Sequence, residues 1–202
     1  MLDDAASSVE KAAGAWSFPM AKATASAIAA YLLELLRWNR RINLTGARSL
    51  RDLVEEHLDD SFALAKLVPA GSAVVDVGSG GGLPAVPFAI LRPDANVCLV
   101  EPRAKRVAFL RTLARLGACL EVRHGRWQDL GSRRFGVATS RAVFPPAKWL
   151  EIGAKLVRPG GMVVVFASAP WQEPVLGGQL VHSLGYASGN RMTRWAGGYC
   201  FT

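Results

Sequence analysis

The sequence predicts an α/β fold: an open, mostly parallel sheet with helices on both faces, preceded by an N-terminal helical extension. Three observations carry this reading. From Ala73 onward, short apolar runs with β-branched residues alternate with amphipathic stretches. A glycine cluster, Gly78-Ser79-Gly80-Gly81-Gly82, stands where the first of those runs ends and the next amphipathic stretch begins. Ahead of Pro69 the apolar residues recur at helical rather than alternating spacing. A chain of 202 residues suits one full-sized domain. Residues 1–68 read as the helical extension packed on the core, and 69–202 as the sheet domain.

Residues 1–20 are small, polar and weakly patterned, so the expectation there is a frayed or loosely helical lead-in. From Ala21 to Asn39, Ile28, Tyr31, Leu32, Leu35 and Leu36 fall on one helical face. A second helix is expected from Ser49, an N-cap with Asp52 three residues on, and Pro69-Ala70-Gly71 stops it. Ala73–Val77, Val97–Val100, Leu120–Val122, Val137–Thr139 and Met162–Phe166 are the expected strands. Helices are expected between them at Pro84–Leu91, at Arg103–Leu116 with Gly117 as its C-cap, and at Pro146–Val157 ahead of Pro159-Gly160-Gly161. Leu180–Leu184 and Ala196–Phe201, around Gly189-Asn190, suit a closing hairpin.

Composition narrows the function classes. The three cysteines are far apart and show neither metal-ligand spacing nor a framework of pairs, which fits a reducing compartment. The N-terminus carries Asp3, Asp4, Glu10 and Lys11 without an apolar core run, and no window has the length of a membrane span. A soluble, cytoplasmic, monomeric protein without metal is expected. Lys and Arg number 24 against 16 Asp and Glu, a formal charge of +8. The excess is clustered and mostly arginine, the electrostatic footprint of a nucleic-acid partner, with an ordinary solvated basic surface as the alternative.

The loop Asp76-Val77-Gly78-Ser79-Gly80-Gly81-Gly82-Leu83-Pro84 follows a strand and opens a helix, the context of a nucleotide-binding loop. It does not fit a dinucleotide fingerprint: counted from Gly78, the third glycine would fall on Leu83. It also lacks the Gly-Lys-Ser/Thr of a phosphate loop. A loop without a basic residue, with Asp76 just before it, suits a phosphate-free ligand, namely a sulfonium nucleoside with an amino-acid tail. Glu101 ends the second strand, where an acid can take both ribose hydroxyls; a strand-end pairing with Arg103 or Lys105 is the competing account.

Several motifs then occur in a fixed order: Trp38-Asn39-Arg40-Arg41-Ile42-Asn43-Leu44-Thr45, His57-x-x-Asp60-Ser61, the glycine loop, Lys105-Arg106-Val107-Ala108-Phe109-Leu110, and Thr139-Ser140-Arg141-Ala142. From about Tyr31 to Val165 the chain resembles the bacterial small-subunit (16S) ribosomal RNA guanine-N7 methyltransferases, also called glucose-inhibited division protein B. The resemblance implies the Rossmann-like fold of class I S-adenosylmethionine-dependent methyltransferases, with S-adenosylmethionine as cofactor. It also implies ribosomal RNA, or the small ribosomal subunit, as partner. Carried over by position, Gly78, Ser79, Gly80, Gly82, Leu83 and Glu101 line the cofactor site. Trp127 and Gln128 flank the adenine, and Arg141 stands beside the cofactor at the reaction end. Asn39, Arg40, Arg41, Asn43, His57 and Arg106 are the candidates for contact with substrate. The chain departs from the family at Gly136, often Asp, and at Phe166-Ala167, where a Lys-Gly pair is common.

The chemistry expected of such a site is simple. Guanine N7 offers a lone pair and has no proton to lose, so in-line positioning in a dry pocket is required and a general base is not. An arginine at position 141 can bond the guanine edge, touch the cofactor carboxylate, or make a strand-end salt bridge. His57 lies on the apolar stripe with Leu53, Val54 and Leu58, so packing and function are both open. Asn39 and Asn43 read as sharing a helical face, either tying the following linker or touching RNA. Methyl transfer to another RNA, a protein or a small molecule, and non-catalytic RNA binding, are the alternative functions.

Overall fold

The computed structural model describes residues 2–113, 119–171, 177–189 and 192–202. In chain order the strands are β1 (Ala73–Val77), β2 (Asn96–Glu101), β3 (Leu120–His124), β4 (Phe135–Ser140), β5 (Val157–Ala167), β6 (Gly178–Ser188) and β7 (Met192–Phe201). They form one sheet in the order β3-β2-β1-β4-β5-β7-β6. The first five run parallel, and β7 lies antiparallel between β5 and β6. The chain builds outward from β1 in one direction through β2 and β3, then in the other through β4 and β5. That reversal opens a crevice at the carboxyl ends of β1 and β4, where open α/β sheets hold their ligands.

Side chains alternate across the sheet and so create two cores. Val74, Val97, Leu99, Val137 and Val164 face the larger one, with α1 (Leu2–Ala15), α2 (Lys22–Asn39), α3 (Leu50–His57), α4 (Asp59–Leu67), α5 (Ala85–Leu91) and α6 (Ala104–Thr112). Val75, Cys98, Val100, Ala138 and Val163 face the smaller one, with Trp149, Leu150 and Ile152 of α7 (Pro146–Ala154) and with Trp195 and Tyr199 of β7. The expected architecture, a mostly parallel open sheet covered on both faces, is the one observed.

Four local expectations need correction. The lead-in is not frayed: α1 buries Ala5, Val9 and Ala13 in the larger core. Residues this small give little hydrophobic signal, yet at helical spacing they let one helix lie close on another, and alanine favours the helix itself. Second, the helix expected from Ser49 to Pro69 is two helices. Its start is as expected, with Ser49 Oγ accepting from Asp52 N at 3.1 Å and Asp52 Oδ2 accepting from Ser49 N at 3.0 Å. The break falls at Leu58 because Ser188 Oγ lies within hydrogen-bonding distance of Glu55 O (3.4 Å) and Glu56 O (3.2 Å). An unbroken helix would offer those carbonyls to Asp59 N and Asp60 N. Gly189 (φ +40°) comes so close to Glu55 O that a Cβ would lie 2.8 Å from it.

The third correction is that α7 ends at Ala154 and β5 starts at Val157, so Pro159-Gly160-Gly161 lies inside β5. The pairing of β4 with β5 shifts register there, between Phe135 and Val137. Fourth, Asn43 does not share a helical face with Asn39, because α2 ends at Asn39. The helix expected over Arg103–Leu116 is seen as Ala104–Thr112, and Gly117 and Asn190 lie outside the described residues.

Asn39 itself organises the segment after α2. Its Oδ1 accepts from Leu44 N (2.9 Å) and Thr45 N (3.1 Å), and its Nδ2 donates to Thr45 O (3.0 Å) and Ala47 O (3.2 Å). One side chain thus replaces the backbone partners this segment lacks. Asn39→Ala is expected to cost about 1–3 kcal/mol, the desolvation of the orphaned groups. The melting temperature should drop by several degrees, and hydrogen exchange at the Leu44 and Thr45 amides should quicken.

Candidate active site

The glycine loop connects β1 to α5 at the centre of the crevice. Gly78 N and Ser79 N donate to Val100 O at 2.8 and 3.2 Å, which ties the loop to the end of β2. Gly78 has φ +75°, and a Cβ there would come within 2.6 Å of Val143 Cγ2, so the segment after β4 closes directly over the loop. From the other side, Tyr31 Oη of α2 donates to Gly81 O at 2.8 Å. Burial pushes the Tyr31 hydroxyl well above its ordinary pKa, so it stays a neutral donor.

Two buried carboxylates face this loop. Glu101, 2 % exposed, accepts from Gly80 N through Oε2 and from Arg103 N through Oε1, each at 2.9 Å. Among the described residues it forms no side-chain ion pair with Arg103 or Lys105; the guanidinium that approaches is that of Arg106, with Nη1 4.0 Å from Oε2. Asp76, 1 % exposed, has an Oδ2 without a hydrogen-bond partner among the described residues. Burial pushes its pKa up to about 7. A buried carboxyl oxygen without a partner, beside a loop with no basic residue of its own, has acceptor capacity that the described residues do not fill.

Of the residues expected at the cofactor site, Gly78, Ser79, Gly80, Gly82, Leu83 and Glu101 are brought together around this loop. Trp127 and Gln128 lie in a 3₁₀ turn, Trp127–Leu130, just after β3. Gly125 N donates to Glu101 O at 3.1 Å and joins that turn to the end of β2. Trp127 is half-buried against the smaller core, and Gln128 is exposed.

Arg141 begins the segment after β4, and its guanidinium is held on two sides. Nη1 donates to Asp60 Oδ2 at 2.5 Å, and Nη2 lies 3.4 Å from His57 Nδ1. Asp60 is 1 % exposed. It also accepts from Arg194 Nη1 (2.9 Å, Oδ2) and from Tyr186 Oη (2.7 Å, Oδ1). His57 is pushed down to about 4, first by burial and then by the charges of Arg141 and Arg194. It is therefore neutral at physiological pH and presents Nδ1 as an acceptor to Arg141. Tyr186 is raised, by burial first and by the neighbouring Asp60 charge second. Its hydroxyl remains a donor.

The residues expected at the substrate do not all meet. Asn39 is committed to backbone, and His57 joins the Arg141 cluster. Asn43 contributes its carbonyl, which accepts from Arg106 Nη2 at 3.0 Å. Arg106 thereby joins the segment after α2 to α6 and passes close to Gly80, where a Cβ would lie 3.5 Å from its Nη1. Arg40 and Arg41 are exposed at the start of the same segment. Tyr31, Tyr186 and Arg194 were not singled out from the sequence for the site. Arg194 carried one signal, a lone charge in the otherwise apolar run of β7, whereas Tyr186 carried none.

Residues 24–174 match the GidB family, described as rRNA small subunit methyltransferase G. Relatives bearing the name ribosomal RNA small subunit methyltransferase G align over much of the chain. The protein of Halorhodospira halophila is 39% identical over 145 residues, 71% of this chain and 69% of the relative. That of Ralstonia nicotianae is 38% identical over 174 residues, covering 81% and 78%. The chain belongs to the rRNA small subunit methyltransferase G family.

Solved structures bear out the fold. A methyltransferase from Pyrococcus furiosus superposes with a TM-score of 0.60 at 14% identity, covering 85% of this chain and 96% of its own. The Bacillus subtilis tRNA methyltransferase TrmK gives 0.56 at 11% identity, covering 73% and 68%. The family fold is the Rossmann-like one of class I S-adenosylmethionine-dependent methyltransferases. Among the described residues no helix is long and apolar enough to cross a membrane, and no group of three or more potential ligands gathers for a metal ion.

The state of His57 gives a signed pH dependence. Its folded pKa, about 4, lies below its ordinary 6.5, so between those values the unfolded chain binds a proton that the folded chain refuses. His57 therefore contributes stability that is present above pH 6.5 and is lost as pH falls towards 4. The difference in melting temperature between wild type and His57→Asn should shift against the wild type as pH falls through this window. A difference independent of pH would show that His57 is not held neutral.

Proposed function

We propose that this chain transfers the methyl group of S-adenosylmethionine to N7 of a guanosine in small-subunit ribosomal RNA. Family membership supports methyl transfer to ribosomal RNA. The finer reading rests on the two halves of the crevice.

The residues of the loop fit this cofactor, which is cationic at its sulfonium and ammonium groups. Asp76, with its orphaned oxygen, suits the ammonium end, and the loop itself carries no basic residue to repel the sulfonium. Glu101 suits the ribose hydroxyls, since each of its oxygens is engaged by a single backbone N–H and has acceptor capacity left. Gly78, Ser79, Gly80, Gly82 and Leu83 would line the cofactor, and Trp127 and Gln128 would flank the adenine. When bound, the cofactor supplies an electrophilic methyl group.

The remaining work falls to the other half. Because N7 attacks with its own lone pair, no side chain needs to remove a proton. This agrees with a His57 that is neutral yet turned towards Arg141. The lone pair must face the methyl group, so the arginine partner of the base would be O6 rather than N7. Arg141 has five N–H donors, and only two point at Asp60 and His57, which leaves donors for O6. The observation that carries the reading is this guanidinium, fixed by a buried carboxylate across the crevice from the glycine loop. Of the candidate substrate residues, Arg40, Arg41 and Arg106 would meet RNA phosphates, while Asn39 and Asn43 hold the segment that presents them.

The test is methyl transfer from radiolabelled cofactor to small ribosomal subunits that lack the modification, mapped by chemical cleavage at N7-methylguanosine. Label at one guanosine is expected, reduced about 10²-fold or more by Arg141→Ala with cofactor binding retained. Label at another RNA atom would overturn the N7 assignment. Cofactor binding without label on RNA would move the search to a protein or small-molecule acceptor.

A further inference from the structure

Next to the Asp60 cluster lies a groove of about 1190 Å³ lined by residues of α1, α3, α4 and the end of β6. It opens at the carboxyl end of β6, the same rim of the sheet on which Arg141 stands. The groove and the Arg141 cluster share a wall: Tyr186 lines the groove, and its hydroxyl is bonded to the Asp60 that holds Arg141.

The groove has two chemical features. The first is aromatic. Trp16 and Tyr186, both half-buried, meet at 5.2 Å between ring centroids and present part of their surface to the groove. The second is charge. The lining has three cations, Lys11, Arg51 and Lys66, and two carboxylates, both already engaged. Glu55 pairs with Arg51 at 2.8 Å, and Asp59 Oδ1 accepts from Trp16 Nε1 at 2.6 Å. Lys11 and Lys66 form no ion pair among the described residues, and both are exposed. Lys66 Nζ stands 5.3 Å from the centre of the Trp16 ring, so charge and aromatic surface are presented together. An aromatic platform beside unpaired cations is the pattern that takes single-stranded nucleic acid, with bases on the rings and phosphates on the cations.

We propose that this groove holds a single-stranded segment of the RNA substrate flanking the target nucleotide. A base packs on the exposed part of one of the two rings, which are tilted by 56° to each other, and phosphates meet Lys11 and Lys66. The inference rests on the reading of the chain as an RNA methyltransferase and adds where the RNA leaves the crevice. The groove lies outside the set of residues that the motifs single out, because α1 and β6 carry none of those motifs.

Lys11→Gln/Lys66→Gln tests it without touching the core, since both side chains are exposed. Equilibrium binding of protein-stripped small-subunit ribosomal RNA is measured at several salt concentrations, with wild-type methyl transfer to the same RNA followed in parallel. The double variant should bind more weakly. Its plot of log K against log salt should be shallower by about 1.4, from about 0.7 for each single-strand phosphate no longer neutralised. Its melting temperature should be unchanged. Unaltered affinity and slope, or no RNA binding by the wild type, would overturn the proposal. Weakened binding to assembled subunits but not to stripped RNA would place a ribosomal protein in the groove and overturn it as well. If the lysines carry RNA binding while the wild type transfers no methyl group either to this RNA or to small subunits lacking the modification, the groove stands and the proposed methyl transfer falls.

Discussion

The Asp60 carboxylate accepts from Arg141, Arg194 and Tyr186, and so joins α4, the end of β4 and both strands of the terminal hairpin at one buried point. A carboxylate that is 1 % exposed is tolerable only when charged donors surround it, and two guanidiniums and a hydroxyl do so here. The constraint runs both ways. Asp60 needs the two guanidiniums to satisfy its buried oxygens, and Arg141 needs Asp60 to stand in one orientation rather than sweep the solvent. Removing one partner from such a set leaves an uncompensated buried charge, typically worth about 3–5 kcal/mol.

The terminal hairpin gains a role from this arrangement. Ser188 takes the carbonyls that would otherwise continue α3 into α4, and Gly189 makes room for the close approach. His57 ends α3 and Asp60 sits in the first turn of α4, so the break lies between the two residues that hold Arg141. β6 and β7 are therefore part of the site's construction rather than a mere cover for the sheet edge. The other half of the crevice is built differently. There the backbone of the glycine loop is tied to β2 and to Tyr31, and Asp76 and Glu101 offer buried carboxyl oxygens beside it. In the proposed reading this half takes the cationic cofactor and the half around Arg141 the electron-rich base edge.

Much of this could be read in the sequence, for a physical reason. The glycine loop, Glu101 and the Ser49–Asp52 capping box depend on neighbours a few residues away or on strand ends whose position follows from the fold class. Asp60, His57 and Arg141 appear in motifs, but nothing local says that they touch. Their meeting depends on how α4 lies against the sheet and on where the tail returns. Tyr186 and Arg194 come from a hairpin whose existence was legible and whose contacts were not. The lead-in leaves little trace in the sequence because Ala5, Val9 and Ala13 pack by being small, a property that hydrophobic periodicity registers weakly. Asn39 showed the opposite problem. Its importance was visible, but a side chain bonded to four backbone groups and one free to touch RNA look the same in sequence.

The most direct measurement of whether Asp60 acts through Arg141 is a double-mutant cycle on kcat/KM for methyl transfer, using Asp60→Asn and Arg141→Lys with folding checked for each variant. If the carboxylate serves to hold the guanidinium, either change alone removes most of the effect, and the double variant is little worse than the worse single one. Effects that multiply, each variant losing activity independently of the other, would contradict the account and separate Asp60 from the chemistry at Arg141.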